Sequence, residues 1–436
     1  MKTAKIKQIK RGLVPKLRFP EFSEGWKVNS FIEVLEIIDG DRGLQYPKAE
    51  DFAPIGYCLF LNAKNVTKDG FKFDSTQFIS RGKDEILRKG KLKRADIILT
   101  TRGSVGQFAY FSKDVPYDNI RINSGMVILR VKTKTINSDY LYTFSKSDFL
   151  TTNIKNNTSG NAQQQLTVAG IKNFKLYFPS LEEQQKIADC LSAIDELILA
   201  QSRKVDALKK YKKGLMQQLF PSEGETMPRL RFPEFSDDGE WEEKELGSLC
   251  DVRDGTHDSP QFYNTGKPLI TSKNLLSNGL LDLKNVSFIS EEDYEKINKR
   301  SKVDIGDIIF GMIGTIGNPV LVKNHGFAIK NVALIKQKTD LLNIYLLHFL
   351  NSQYIAARFK TLHTGNTQKF IALGQIRNLS FPLPKISEQQ KIADCLSSID
   401  DLIVAQGQKV DALKKHKKGL MQQLFPSNQE KIINHK

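Results

Sequence analysis

The sequence predicts an α/β (α+β) fold in which two similar domains alternate with two long antiparallel helices forming a coiled coil, with pseudo-twofold organisation. Three observations carry this prediction. Residues 183–222 read EQQKIADCLSAIDELILAQSRKVDALKKYKKGLMQQLFPS and recur at 388–427 with 34 of 40 positions unchanged. The segment ahead of each domain is duplicated as well, PKLRFPEFSEGW at 15–26 and PRLRFPEFSDDGEW at 228–241. Between these landmarks the same succession of strand-like runs, turns and short apolar segments occurs in both halves. The implied division is a first domain over 1–181, a helix over 182–222, a second domain over 223–386, a helix over 387–427 and a tail over 428–436.

Each domain starts with a strand running into a tight Asp-Gly turn, IIDGDRG at 37–43 and VRDGTHD at 252–258. Asp39, Gly40, Asp254 and Gly255 read as turn architecture. Apolar and polar residues then alternate as in strands over 59–80 and 268–290, aligning Lys64-Asn65 with Lys273-Asn274. A charged stretch follows at 81–94 and 291–303. Strand, glycine turn and strand come next, DIILTTRGSVGQFAYF from Asp96 and DIIFGMIGTIGNPVLV from Asp307, pairing Gly103 with Gly314 and Gly106 with Gly317. One short apolar helix is expected at 138–150 and another at 341–358. Polar loops at 158–166 and 363–371 lead into a proline-bearing strand that feeds each long helix.

In the first helix Ile187, Leu191, Ile194, Ile198, Val205, Leu208, Leu215 and Leu219 fall at alternating four- and three-residue steps, the apolar seam of a coiled coil. Ile392, Leu396, Ile399, Ile403, Val410, Leu413, Leu420 and Leu424 repeat that seam. Gln201 and Lys212, matched by Gln406 and Lys417, interrupt it. A helix of this length reaches roughly 55 Å at ~1.5 Å per residue, so it is a spacer as much as a core. Near-identity beside drifted flanks indicates a shared constraint, read as one surface that both helices present to two copies of one partner.

The chain has 436 residues, 40% hydrophobic and 26% charged, which fits a folded soluble protein of two or three domains. Its four cysteines, Cys58, Cys190, Cys250 and Cys395, are widely spaced and form no CxxC, which argues against a metal cluster or disulfide framework and fits a reducing cytoplasm. The basic N-terminus lacks the apolar run of a signal peptide, and the apolar stretch 308–322 is short and broken by glycines and a proline. A net charge of +16 suggests a polyanion, nucleic acid first. The charge is uneven. Residues 1–182 hold 30 basic and 18 acidic side chains, whereas 223–387 hold 20 of each, so a second binding surface would rely on local placement.

No catalytic constellation is present: no Walker A sequence, no GxGxxG after a strand, no HExxH and no Asn-Pro-Pro-aromatic motif for a flipped base. Glu242-x-Lys244 matches only the end of a nuclease signature, and the six histidines lack metal-ligand spacing. With its two variable domains, each carrying a GDI-type strand and a GxxG turn, alternating with helices that begin EQQKIA, the chain resembles the specificity subunit of a type I restriction-modification system. The resemblance implies two target-recognition domains, each reading half of a split site on double-stranded DNA. It also implies helices that dock two methyltransferase (M) subunits, with restriction/translocase (R) subunits joining for cleavage. Adenine methylation and S-adenosylmethionine, held in the methyltransferase subunit, come from the resemblance; no cofactor and no metal are expected in this chain.

Base readout needs paired donors and acceptors, Arg toward guanine and Asn or Gln toward adenine, while Lys, Ser and Thr hold phosphates. On that basis the first domain offers Asp41, Arg42, Lys64, Asn65, Arg81, Arg102, Ser104, Gln107, Asn161, Gln163 and Gln164 as DNA-binding candidates. The second offers Thr256, His257, Lys273, Asn274, Lys299, Arg300, Thr315, Asn318, Asn366, Gln368 and Lys369. Unlike loops should see unlike half-sites, separated by about 10 bp, one DNA turn. The competing readings are a coiled-coil scaffold without DNA readout and, behind it, a nuclease or methyltransferase in its own right.

Overall fold

The computed structural model describes residues 14–158, 164–338, 340–362 and 370–426. The chain forms two compact units, one taking residues up to Gln201 and resuming at Lys409, the other Ser202–Gln408. Both cuts fall inside the long helices, which run Leu181–Leu219 and Ile386–Leu424.

In the first unit a four-stranded antiparallel sheet has the order Leu35–Asp39, Met126–Val131, Ile97–Thr100, Phe108–Tyr110. The two-residue period of a strand sends Ile97, Leu99, Val127 and Leu129 to one face and Ile98 and Ile128 to the other. The first face packs with Tyr140, Leu141, Phe144 and Phe149 of the helices Ser138–Ser145 and Asp148–Asn157. The second shares a core with Leu59 and Ile120, from a three-stranded sheet ordered Phe78–Ile79, Cys58–Phe60, Ile120–Arg121. Burial on both faces is why 97–99 is an unbroken apolar run rather than an alternating one.

The second unit repeats the plan. Its sheets are ordered Cys250–Asp254, Val332–Gln337, Ile308–Gly311, Gly317–Leu321 and Ser287–Ile289, Lys267–Ile270, Ala328–Ile329. The structure adds one element to each unit and divides another. The charged stretches contain helices, Arg81–Ile86 and Glu291–Ser301, started by Ser80 and Ser290, whose hydroxyls accept from the Lys83 and Asp293 amides. Each apolar helix is in fact two, Ser138–Ser145 then Asp148–Asn157, and Asn343–Leu350 then Gln353–Leu362. The Ser147 hydroxyl, accepting from the Leu150 amide, starts a new helix where the pattern alone reads as continuous.

The start of each long helix is gripped by its own domain. Glu183 is buried and accepts from Arg18 Nε and Nη2 at 2.8 and 2.6 Å and from Trp26 Nε1 at 3.4 Å. Glu388 is held alike by Arg231, at 2.8 and 2.8 Å, and by Trp241 at 3.2 Å. The next residues, Gln184 and Gln389, are wholly buried; their amides donate to Thr135 and Pro179, and to Asp340 and Pro384, while their oxygens accept from the Asn137 and Leu342 amides. Part of the sequence repeat thus has an internal cause: LRFPEF…W and EQ are two sides of one clamp.

Within each unit the start of one long helix packs antiparallel against the end of the other. Ile187, Ala188 and Leu191 share a core with Leu420, Met421, Leu424 and Phe425; Ile392, Ala393 and Leu396 share one with Leu215, Met216, Leu219 and Phe220. Between these ends the remaining seam positions, Ile194, Ile198, Val205, Leu208, Ile399, Ile403, Val410 and Leu413, are buried or half-buried. The lysines that break the seam are matched to acids: Lys417 meets Asp195 at 2.5 Å and Lys212 meets Asp400 at 2.6 Å. Cys190 and Cys395 stand half-buried beside the seam.

Candidate nucleic-acid interface

Antiparallel order brings alternate strand ends together. Asp39 lies opposite Val127, Met126 opposite Thr100, and Leu99 opposite Phe108, so the turns at 39–43, 122–125 and 101–107 leave the same end of the sheet. The approach is tight enough to require glycine: a Cβ on Gly40 would stand 2.2 Å from the Asn123 carbonyl oxygen. Gly103 and Gly106 turn at φ +71° and +85°. The polar loop joins this end, the Leu166 amide donating to the Thr101 carbonyl at 3.0 Å beside an Arg102–Gln165 bridge. Ala63, beside Gly103, brings the 61–65 loop to it.

The second unit assembles the same parts. Asp254 pairs with Ala333 and Gly311 with Val332, and a Cβ on Gly255 would stand 2.5 Å from the Ile329 carbonyl. The Ile371 amide donates to Met312 at 2.9 Å. Asn318, in the left-handed region at φ +48°, donates from Nδ2 to the Leu275 carbonyl at 2.9 Å.

Arg42, Lys64, Arg102, Ser104 and Gln164 are exposed at the first end; Gln107 is half-buried there, its amide donating to Thr100 Oγ1. Arg42 Nη2 donates to Asp39 at 3.2 Å and to the Ser124 carbonyl at 3.3 Å. Arg81 is exposed on the adjoining helix, its guanidinium 4.6 Å from the Tyr57 ring centroid. At the second end His257, Lys273, Arg300 and Thr315 are exposed, and Thr256 and Asn318 half-buried, with Thr256 Oγ1 accepting from the Asp258 amide; Lys299 is exposed on the helix Glu291–Ser301. Asn161, Gln163, Asn366, Gln368 and Lys369 lie outside the described residues.

Three expected readers are interior instead. Asn65 is 1% exposed, accepts from the Asn62 amide, and spends both amide protons on the Lys72 and Ser75 carbonyls. Asn274 does the same with Thr271, Asp282 and Asn285. Asp41 is buried, accepting from the Gly43 and Arg88 amides at 2.9 Å each, and the Gly43 bond above all holds its carboxyl below the ordinary range. These side chains shape the loops whose neighbours face outward. Sequence reading missed Arg88, Asn123, Ser124, Lys330 and Asn331. The tertiary contacts bring them here: the Arg88 amide donates to Asp41, and Lys330 Nζ reaches the Asp258 carbonyl at 2.5 Å and Ser259 Oγ at 2.8 Å.

The ends offer cations, amides and hydroxyls on a folded support, the chemistry of phosphate and base contacts. Glu242 and Lys244 pair with each other at 2.7 Å on an exposed strand. Among the described residues no cluster of three or more His, Cys, Asp or Glu could hold a metal ion, and no helix is long and apolar enough to cross a membrane.

A family model described as the type I restriction modification DNA specificity domain matches residues 23–210 and 238–415. The chain is 27% identical over 429 residues to the type I restriction enzyme MjaVIII specificity subunit of Methanocaldococcus jannaschii, covering 94% of this chain and 93% of that one. The fold is similar to the S subunit of a type I restriction-modification system from M. genitalium, with a TM-score of 0.58 at 15% identity over 95% of this chain and all of that one. It is also similar to a chain solved in work on complex assembly and conformational transition of the type I R-M system, with a TM-score of 0.57 at 20% identity over 94% and 99%.

Proposed function

The chain belongs to the family of type I restriction-modification DNA specificity proteins, and from that membership we propose that each unit reads one half of an asymmetric, two-part site on double-stranded DNA through the loops at its sheet end. The observation that carries this is one scaffold furnished twice with different side chains. Arg42 corresponds to His257, Ser104 to Thr315 and Gln107 to Asn318, whereas interior Asn65 corresponds to interior Asn274. Exposed Arg42 and Ser104 meet different side chains at the matching positions while interior Asn65 and Asn274 are the same, which supports two readers of unlike half-sites; exposed Lys64 and Lys273, alike in both units, suit a phosphate contact common to the two.

The chain reads and does not react. It directs N6-adenine methylation by two methyltransferase (M) subunits, which bring S-adenosylmethionine, and cleavage once restriction/translocase (R) subunits join. A partner surface is available on the helices: Leu197 and Leu402, identical between repeats, are 50% and 57% exposed, and flank the seam where the helix pair leaves them open. The test is to map methylated bases in cells carrying this chain with its methyltransferase and in cells lacking only this chain. A split N6-methyladenine motif present in the first and absent from the second is expected; a motif independent of the chain would overturn the reading.

A further inference from the structure

In both units an aspartate just before the Asp-Gly turn glycine pairs with a cation three residues on: Asp39 with Arg42, and Asp254 with His257. The first cation is permanent; the second is not. His257 Nε2 lies 2.8 Å from Asp254 Oδ2 and Nδ1 lies 2.9 Å from Asn331 Oδ1. A neutral imidazole has one N–H, so only the imidazolium donates to both oxygens. Asp254 is in turn bound by Arg300 Nη2 through its other oxygen, and the ring itself is exposed.

We propose that His257 is an imidazolium at the second unit's DNA face that attracts phosphate through its charge while Asp254 and Asn331 hold both of its N–H groups, so that the second unit's hold on DNA depends on proton concentration while the first unit's, through Arg42, does not. This rests on the reading of both sheet ends as DNA interfaces. The charged groups around the ring come from three elements: Asp254 on its own strand and Asp258 in its own turn; Asp293, Lys296 and Arg300 from the helix Glu291–Ser301, lining with it a cavity of ≈ 530 Å³; and Lys330 from the loop beside Asn331. Direct bonding to Asp254 first, then to Asn331, raises the histidine above its ordinary value, against partial burial and Arg300. A phosphate arriving at this end adds negative charge and raises it further, so DNA binding takes up a proton and tightens as pH falls. The second domain, with no net excess of basic residues over 223–387, has more at stake in one added charge than the first.

The experiment is fluorescence anisotropy of the full chain on a labelled duplex carrying the motif mapped above, at pH 6 and pH 8 over a salt series. Wild-type affinity is expected to fall about three- to tenfold from pH 6 to pH 8, with the salt slope shallower by about 0.9 at the higher pH, the loss of one phosphate contact. His257→Arg should bind tightly at both pH values, His257→Gln weakly at both, and Arg42→His should add a second pH-dependent step. A wild-type response no larger than that of His257→Arg, or one that persists in His257→Gln, overturns the inference while leaving DNA recognition intact. Absence of any chain-dependent motif removes the reading beneath it as well.

Discussion

Asn65 and Asn274 occupy the same place in the two units, each bridging two carbonyls within the loop that carries it. Removing such an amide leaves buried carbonyls without donors, so Asn65→Ala and Asn274→Ala should each cost about 2–3 kcal/mol in urea unfolding. Lys64→Ala and Lys273→Ala, one residue away and exposed, should leave unfolding unchanged and lower the salt slope of DNA binding by about one each. Residue type made all four look alike in the sequence. What separates them is the turn, which places the Lys72 and Ser75 carbonyls around one side chain and water around its neighbour. Asp41 adds a pH test. Its carboxyl is held below the ordinary range, so the stability it contributes is present above the unfolded carboxyl value and is lost as pH falls through the folded one. Asp41→Asn should therefore be less stable than wild type near neutrality, by about 1–2 kcal/mol for the lost charged hydrogen bonds, with the difference closing in acid.

At the scale of elements, the long helices were legible because their signal is local: an apolar seam needs only spacing, and the seam positions between the packed ends are all buried or half-buried. The strand, glycine turn and strand were legible for the same reason. The helices Arg81–Ile86 and Glu291–Ser301 were not, because the first is only six residues long and the second offers only Tyr294 and Ile297 as an apolar stripe in a charged run, so that Ser80 and Ser290 are the clearer signals. The meaning of the repeat was half legible. Its constancy suggested an outside partner, yet Glu183 and Glu388 are constant because each is a buried carboxylate with a two-pronged arginine and an indole. Charge removal there strands the guanidinium, so Glu183→Gln should cost about 3 kcal/mol, read by thermal unfolding, and Arg18→Ala a similar amount. Lys212 with Asp400, partly exposed at 18% and 42%, should show a coupling of only about 0.5–1 kcal/mol in a double-mutant cycle.

For the whole molecule, the informative fact is where the units divide. Each is completed by the start of one long helix and the end of the other, and the divisions fall at Gln201/Ser202 and Gln408/Lys409, away from both clamps and both packed ends. Seven residues placed between Gln201 and Ser202, together with seven between Gln408 and Lys409, keep the heptad phase of both seams and leave every contact within each unit in place. Such an insertion adds about 10 Å of helix at ~1.5 Å per residue, the rise of about 3 bp at ~3.4 Å per step. If the helices set the distance between the two readers, the methylated motif should keep both half-sites and lengthen its gap by about that amount. Methylation mapping in cells carrying the lengthened chain decides it. A gap that stays the same with both half-sites retained would mean that something other than the helix pair, such as the bound methyltransferases or bending of the DNA, sets the spacing. Loss of methylation altogether, with the purified chain still folded by circular dichroism, would place the methyltransferase contact across the inserted segment, beside Leu197 and Leu402.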